Sequence, residues 1–200
     1  MKEPPELIVA TNNKGKLEEI KAILKDFSFR IRGLSEIGFE GDIEENGTTF
    51  LENSLIKAKT IANLYGKYVL ADDSGLEVAY LGGKPGVFSA RFAGNNATDE
   101  ENNKKLLREL EGVPRENRKA AFRCVMSLAS PDGRWVASVG SCRGEITFKP
   151  RGTHGFGYDP IFFIPQLNKT MAEIPLEVKN TLSHRAKALE RMKSLIEDFV

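Results

Sequence analysis

The sequence predicts an α/β fold, and three observations predict it. Leu7-Ile8-Val9-Ala10 is a short continuous apolar run, the pattern of a buried strand, and Leu17, Ile20, Ile23 and Leu24 then recur at helical spacing. Tyr68-Val69-Leu70-Ala71 repeats the buried-strand pattern after a long amphipathic stretch. Ala120 to Ala129 and Trp135 to Ser141 read as two further strands joined by the Pro131-Asp132-Gly133 turn.

The remaining elements follow in chain order. A polar loop, Thr11-Asn12-Asn13-Lys14-Gly15-Lys16, separates the first strand from its helix, and Phe27 to Leu34 alternates as a second strand. Ser35 to Gly47 is acidic and turn-rich. Thr49 and Glu52 have capping-box spacing and open a helix with an apolar stripe through Leu51, Leu55, Ala58, Ala62 and Tyr65, closed by Gly66. Leu81 to Val87 is a glycine- and proline-rich loop, after which Thr98 and Glu101 open a helix reaching about Leu110. Gly152 to Pro160 alternates glycines and aromatics. An amphipathic helix carrying Leu182, Ala186, Leu189, Met192 and Ile196 closes the chain. Repeats and linker-like segments are absent, so residues 1–200 read as one α/β domain, with an inserted lobe between about Gly112 and Pro150.

Composition narrows the classes of function. With 29 Lys+Arg against 28 Asp+Glu, the net charge of +1 lacks the basic excess of a protein that lives on nucleic-acid phosphates. The longest apolar runs, such as Leu7 to Ala10, are too short to span a bilayer. Met1-Lys2-Glu3-Pro4-Pro5 shows no apolar signal region. Cys124 and Cys142 have no CxxC partner and read as buried thiols of a reducing compartment. A cytoplasmic location is therefore expected.

Five segments could carry chemistry. The Thr11–Lys16 loop lies between a strand and a helix N-terminus, where free N–H groups and the helix dipole favour anions; Lys14 and Lys16 add charge. It lacks the spaced glycines and Ser/Thr of a Walker A loop, and a solvated connection is an even alternative. Asp72-Asp73-Ser74-Gly75 places adjacent carboxylates at the end of a buried strand, which is costly unless a cation compensates them. Their side chains should point opposite ways, one to a metal and the other to a structural partner; a solvated turn is the bland alternative. The acidic loop Asp42 to Gly47 is by itself a charged surface, but it leads into the helix before Asp72-Asp73 and could return to the same place. Gly155-Phe156-Gly157-Tyr158-Asp159 offers aromatic faces beside approachable backbone, as a purine requires, or a structural turn. Ser183-His184-Arg185, with Lys179 upstream, would sit in the first helical turn if Ser183 is the N-cap. On a helical wheel Arg185 falls beside the apolar stripe and His184 points away from it.

Together these segments resemble the inosine triphosphate pyrophosphatase family. The resemblance rests on Thr11 to Lys16, Gly47 to Asn53, Ala71 to Leu76, Leu81 to Gly86, Ser89-Ala90-Arg91, Gly155 to Phe162 and Ser183-His184-Arg185, which follow the family's order over nearly the whole chain. It implies a mixed twisted sheet with flanking helices, in two lobes with the active site in the cleft between them, and a homodimer. It implies hydrolysis of ITP, dITP and XTP to the monophosphate and pyrophosphate with Mg²⁺. Asp73 would be general base and metal ligand, with Glu45 and Glu44 completing the magnesium site. Thr11, Asn12, Asn13, Lys14, Gly15 and Lys16 would hold the triphosphate with Ser74 close by. Phe156, Gly157, Tyr158, Asp159, Lys179, His184 and Arg185 would line the base and sugar pocket; selectivity for 6-oxo purines needs donors aimed at O6, which Arg185 and His184 could provide. Asn12, Asn46 and His154 depart from the Gly, Thr and Gly common in the family at those positions. The rival readings are a pyrophosphatase for pyrimidine or modified nucleotides, a non-catalytic nucleotide sensor, and a single-strand nucleic-acid module.

Overall fold

Strand β1 (Glu6–Val9) is the buried run expected, and helix α1 (Lys14–Ile23) follows it after four residues. This is a computed structural model, and it describes residues 4–199. Met1 to Glu3, part of the segment read for a signal region, and Val200 lie outside the described residues. Strand β2 is confined to Arg30–Gly33, shorter than the Phe27–Leu34 expectation, because Phe27 and Phe29 are spent on local turn hydrogen bonds and on stacking with each other. Helix α2 (Phe50–Tyr65) starts at the anticipated capping box, with Thr49 and Glu52 bonded reciprocally, and stops at Gly66 in the left-handed region with φ 63°.

Strand β3 (Tyr68–Val78) differs most from its sequence signature. It continues straight through Asp72-Asp73-Ser74-Gly75, so these carboxylates lie inside a strand and not at its end. Helix α3 (Asp99–Glu109) has the second capping box, Thr98 with Glu101. Strands β4 (Lys119–Ala129) and β5 (Trp135–Ile146) flank the predicted turn, where Gly133 has φ 87°. Strand β5 runs five residues past Ser141, to Ile146, where it meets β6 (Phe162–Ile164). After β7 (Lys169–Thr170) come α4 (Leu176–Leu182) and α5 (His184–Phe199). The closing helix is thus two helices. Ser183 interrupts them in an extended conformation (ψ 161°), so Leu182 belongs to α4.

The strands form one seven-stranded sheet in the order β2-β1-β3-β4-β5-β6-β7. β1 pairs in parallel with β2 and β3, whereas β5–β6 and β6–β7 are antiparallel, so the sheet is mixed.

The chain divides into two compact units. The first comprises Met1–Asp73, Cys124–Gly140 and Arg185–Val200. Leu70, Leu7 and Val9 pack in it with Ile20 and Leu24 of α1 and with Leu189, Met192 and Ile196 of α5. Val69 and Ala71, one pleat over, pack instead with Ala58, Ile61 and Ala62 of α2. The second comprises Ser74–Arg123 and Ser141–His184, with a core through Leu76, Val78, Leu106, Phe122, Ile146 and Phe162. It is wider than an insertion between Gly112 and Pro150. The stretch Cys124–Gly140 belongs to the first unit, because Cys124, Met126 and Leu128 pack with α1 and α5.

Arg118 fixes the second unit. Its side chain is only 2% exposed and donates to the carbonyls of Ile146 (2.9 Å), Leu110 (2.7 Å) and Thr147 (2.8 Å), tying the end of α3 to the end of β5. Arg118→Ala should destabilise the protein by about 3 kcal/mol or more, since buried carbonyls lose charged donors. Urea melts of variant and wild type measure the difference, and a loss below about 1 kcal/mol would mean that water replaces the guanidinium there.

Candidate active site

Asn13 caps α1, its side-chain oxygen accepting the Lys16 N–H at 3.0 Å, so the helix starts inside the polar hexapeptide. Only Thr11, Asn12 and Asn13 form the loop. Lys14, Gly15 and Lys16 make the first helical turn, where N–H groups lack helical partners and the dipole is positive. Lys16 turns its ammonium onto Asp72, 3.0 Å away. Asn12 reaches Asp42 at 3.5 Å.

Alternation along β3 sends its two carboxylates to opposite faces. Asp72, 1% exposed, follows Leu70 on the α1–α5 side, where Lys16 and the Nη2 of Arg185 (3.3 Å) meet it. The Nη1 of Arg185 bonds Glu19, itself buried one turn beyond Lys16. Burial pushes the pKa of Asp72 up, but Lys16, Arg185 and Lys57 outweigh it and hold the carboxyl well below its ordinary value.

Asp73 follows Val69 and Ala71 on the α2 side. The Asn53 amide donates to its Oδ2 at 3.0 Å, and Lys57 approaches its Oδ1 at 3.9 Å. Lys57 also binds Glu45 at 3.0 Å, so Glu45 and Asp73 converge on one ammonium. The acidic loop is held there because the Gly47 N–H donates to Asn53 Oδ1 at 2.8 Å. A Cβ on Gly47 would come within 2.6 Å of that oxygen, so glycine permits the approach. Burial, the largest influence, raises the pKa of Asp73; Lys57, Lys16 and Asn53 pull it down without cancelling the rise, to which Glu45 adds. Glu44 is exposed.

The donor set fits a hard divalent cation. Magnesium is commonly held by one or two carboxylates plus phosphate oxygens, and Glu45 and Asp73 are two carboxylates whose charge is only partly offset by Lys57. Among the described residues no group of three His, Cys, Asp or Glu side chains gathers into a self-contained cage.

The second unit carries the aromatic loop. Asp159 accepts from the Phe156 N–H (3.0 Å) and from Lys179 (2.6 Å), and the Lys179 ammonium lies 4.5 Å from the Phe156 ring centroid. Tyr158 is buried and donates its hydroxyl to the Ser89 carbonyl at 2.8 Å. His184 is not directed away from the core as the helical wheel suggests: it is 5% exposed and stacked on Phe122, with centroids 4.7 Å apart. Arg185, which the wheel places beside the apolar stripe, is 1% exposed, and its guanidinium is engaged by Glu19 and Asp72 in the first unit. His184 is covered because Phe122 of β4 packs against its ring. Ser74 is half-buried on β3, and His154 is exposed.

A model of the Ham1 family matches residues 7–195. The chain belongs to the Ham1 family. Among its relatives, a dITP/XTP pyrophosphatase of Geobacter sulfurreducens is 54% identical, over 94% of this chain and 94% of that one. Another, from Bacillus licheniformis, is 50% identical over 96% and 98%. Of solved structures, a HAM1 protein from Coxiella burnetii superposes with a TM-score of 0.88 at 42% identity, covering 97% of this chain and 99% of that chain. The Staphylococcus aureus Ham1 protein gives 0.85 at 43%, covering 96% and 98%. In this Ham1 chain, sequence alone missed Glu19, Asn53 and Lys57 as site residues. Asn53 and Lys57 had a signal: they are four apart on α2 and so share a face.

Asp72→Asn should cost about 3–5 kcal/mol at neutral pH, because Lys16 and Arg185 lose their shared anion. The wild-type carboxyl is depressed, so its contribution is complete above the unfolded pKa and fades as pH falls through the folded one. The gap between wild type and variant should hold from about pH 5 to 8 and narrow progressively below about pH 4. Melting curves across that range check it; a gap that widens in acid would contradict the ion pairing.

Proposed function

We propose that this chain hydrolyses deaminated purine nucleoside triphosphates, ITP, dITP and XTP, to the monophosphate and pyrophosphate. The observation that carries the reading is the set of Lys16, Lys57, Glu45 and the adjacent Asp72 and Asp73 around β3, in a family whose members include dITP/XTP pyrophosphatases. The α1 N-terminus with Lys14 and Lys16 neutralises the triphosphate, helped by donors from Thr11, Asn12, Asn13 and Ser74. Glu45 and Asp73, with Glu44 next to Glu45 on the same loop, would hold Mg²⁺, which would supply neutralisation of phosphate-oxygen charge.

Asp73 is the general base for water attacking the α-phosphorus. A carboxyl raised by burial is a better proton acceptor than an exposed one, and Asn53 fixes its orientation. Lys57, between Glu45 and Asp73, keeps both carboxylates from repelling the incoming anion. The base stacks on Phe156, and Lys179, held by Asp159, supplies a donor suited to a 6-oxo group. Adenine would present an amino donor to that ammonium, a mismatch that a buried donor penalises strongly. Gly157, Tyr158 and His184 complete the wall. Arg185, which shares Asp72 with Lys16, is a second donor for O6.

The reading includes a cytoplasmic homodimer. The buried thiols Cys124 and Cys142 support a reducing compartment, and the exposed Tyr80 and Phe88 support a self-association surface. No helix of the described residues is long and apolar enough to cross a membrane.

With ITP and Mg²⁺ the products should be IMP and pyrophosphate; IDP and orthophosphate would place attack at the γ-phosphorus and overturn the mechanism. EDTA should abolish turnover. Asp73→Asn should lower kcat by roughly a hundredfold or more, whereas Lys16→Ala should act mainly on KM. Near-normal kcat in Asp73→Asn would assign the base elsewhere.

A further inference from the structure

Helix α3 presents polar side chains to its buried side, an arrangement that packing alone does not favour. Asn102 is 2% exposed and Asn103 7% exposed. Asn102 brackets one loop of the second unit, accepting from the Ala93 N–H at 2.7 Å and donating to the Ala90 carbonyl at 3.2 Å. Asn103 and Asp99, one turn apart, address another. The Gly157 N–H donates to Asp99 Oδ2 at 2.6 Å, and Asn103 Nδ2 donates to the Gly157 carbonyl at 3.0 Å. Both polar groups of a single residue are therefore held by one helix face.

Gly157 follows Phe156 and has φ 61°, a left-handed conformation that leaves its peptide groups to be fixed by whatever they bond. Asn103 is not explained by a general need for polarity, since no hydrogen-bond partner reaches its buried Oδ1 among the described residues. A leucine would fill similar space without stranding that oxygen. What the asparagine adds is the bond to Gly157.

We propose that Asp99 and Asn103 are positioning residues for base recognition. They clamp Gly157 and thereby fix the Phe156 ring against the Lys179 ammonium before any substrate arrives. The proposal rests on the reading that Phe156 stacks on the purine. A preformed stacking face spares the substrate the cost of ordering the loop, so the clamp acts on binding more than on the chemical step.

Asp99→Ala tests it, with Asp99→Asn retaining an acceptor oxygen and Asn103→Leu removing the second bond. Glu100→Ala is the control: it removes a like charge from the same helix end, and its carboxylate pairs with Lys104. The readouts are hydrogen exchange at the Gly157 amide and the kinetics of dITP hydrolysis. Asp99→Ala should speed Gly157 exchange and raise KM about fivefold with kcat within about twofold, the size expected for one lost hydrogen bond. Asn103→Leu should raise KM similarly, Asp99→Asn should restore most of the loss, and Glu100→Ala should change neither readout. Equal behaviour of Asp99→Ala and Glu100→Ala would overturn the clamp. Faster exchange with unchanged KM would overturn its role in recognition. A wild-type chain releasing no pyrophosphate from dITP would overturn the earlier reading and this role with it, while Gly157 exchange would still report whether the clamp exists.

Discussion

The ionised Asp72 inside β3 is the constraint on which the first unit depends. A carboxylate at 1% exposure in the middle of a strand is tolerable only if cations reach it, because its desolvation costs several kcal/mol. One cation comes from α1 and the other from α5. Helix α1 must therefore begin where Asn13 caps it, so that Lys16 falls in the first turn, and α5 must begin directly after Ser183, so that Arg185 falls beside Asp72. Glu19 balances the second positive charge, leaving two anions and two cations closed on one another. Helix ends that local propensity would leave imprecise are set by this quartet.

The neighbouring carboxylate has the opposite fate. Asp73 shares the strand but lies farther from its cation: Lys57 stands at 3.9 Å and is shared with Glu45. One side chain is held ionised below its usual range and the other is pushed above it. The alternation of a β-strand is what lets two consecutive residues face such different surroundings.

Much of this was legible in the sequence. The Thr49–Glu52 and Thr98–Glu101 boxes announced α2 and α3, since capping is a local interaction whose partners lie three residues apart. The extent of β3 was not legible. Asp-Asp-Ser-Gly is good turn chemistry, and only partners remote in sequence, Lys16, Lys57 and Arg185, make it strand. The roles of His184 and Arg185 were obscured for another reason. A helical wheel shows only the helix's own apolar stripe, whereas Phe122 of β4 covers His184, and the carboxylates of Glu19 and Asp72, far away in sequence, meet Arg185.

The aromatic loop shows why its glycines do not signal mobility. A Cβ on Gly155 would lie 2.0 Å from Asp159 Oδ2, the same oxygen that accepts from the Phe156 N–H and from Lys179. Glycine is required so that this carboxylate can fold back over the loop, and once there it bonds both the backbone before the stacking ring and the ammonium beside that ring. The conformational freedom of Gly155 is thus converted into a fixed geometry by a buried ion pair, Asp159 and Lys179 being 3% exposed each. A buried pair of this kind resists separation, because breaking it strands a charge in a poorly solvated place. The orientation of Phe156 follows from electrostatics at Asp159 as much as from the packing of its own ring.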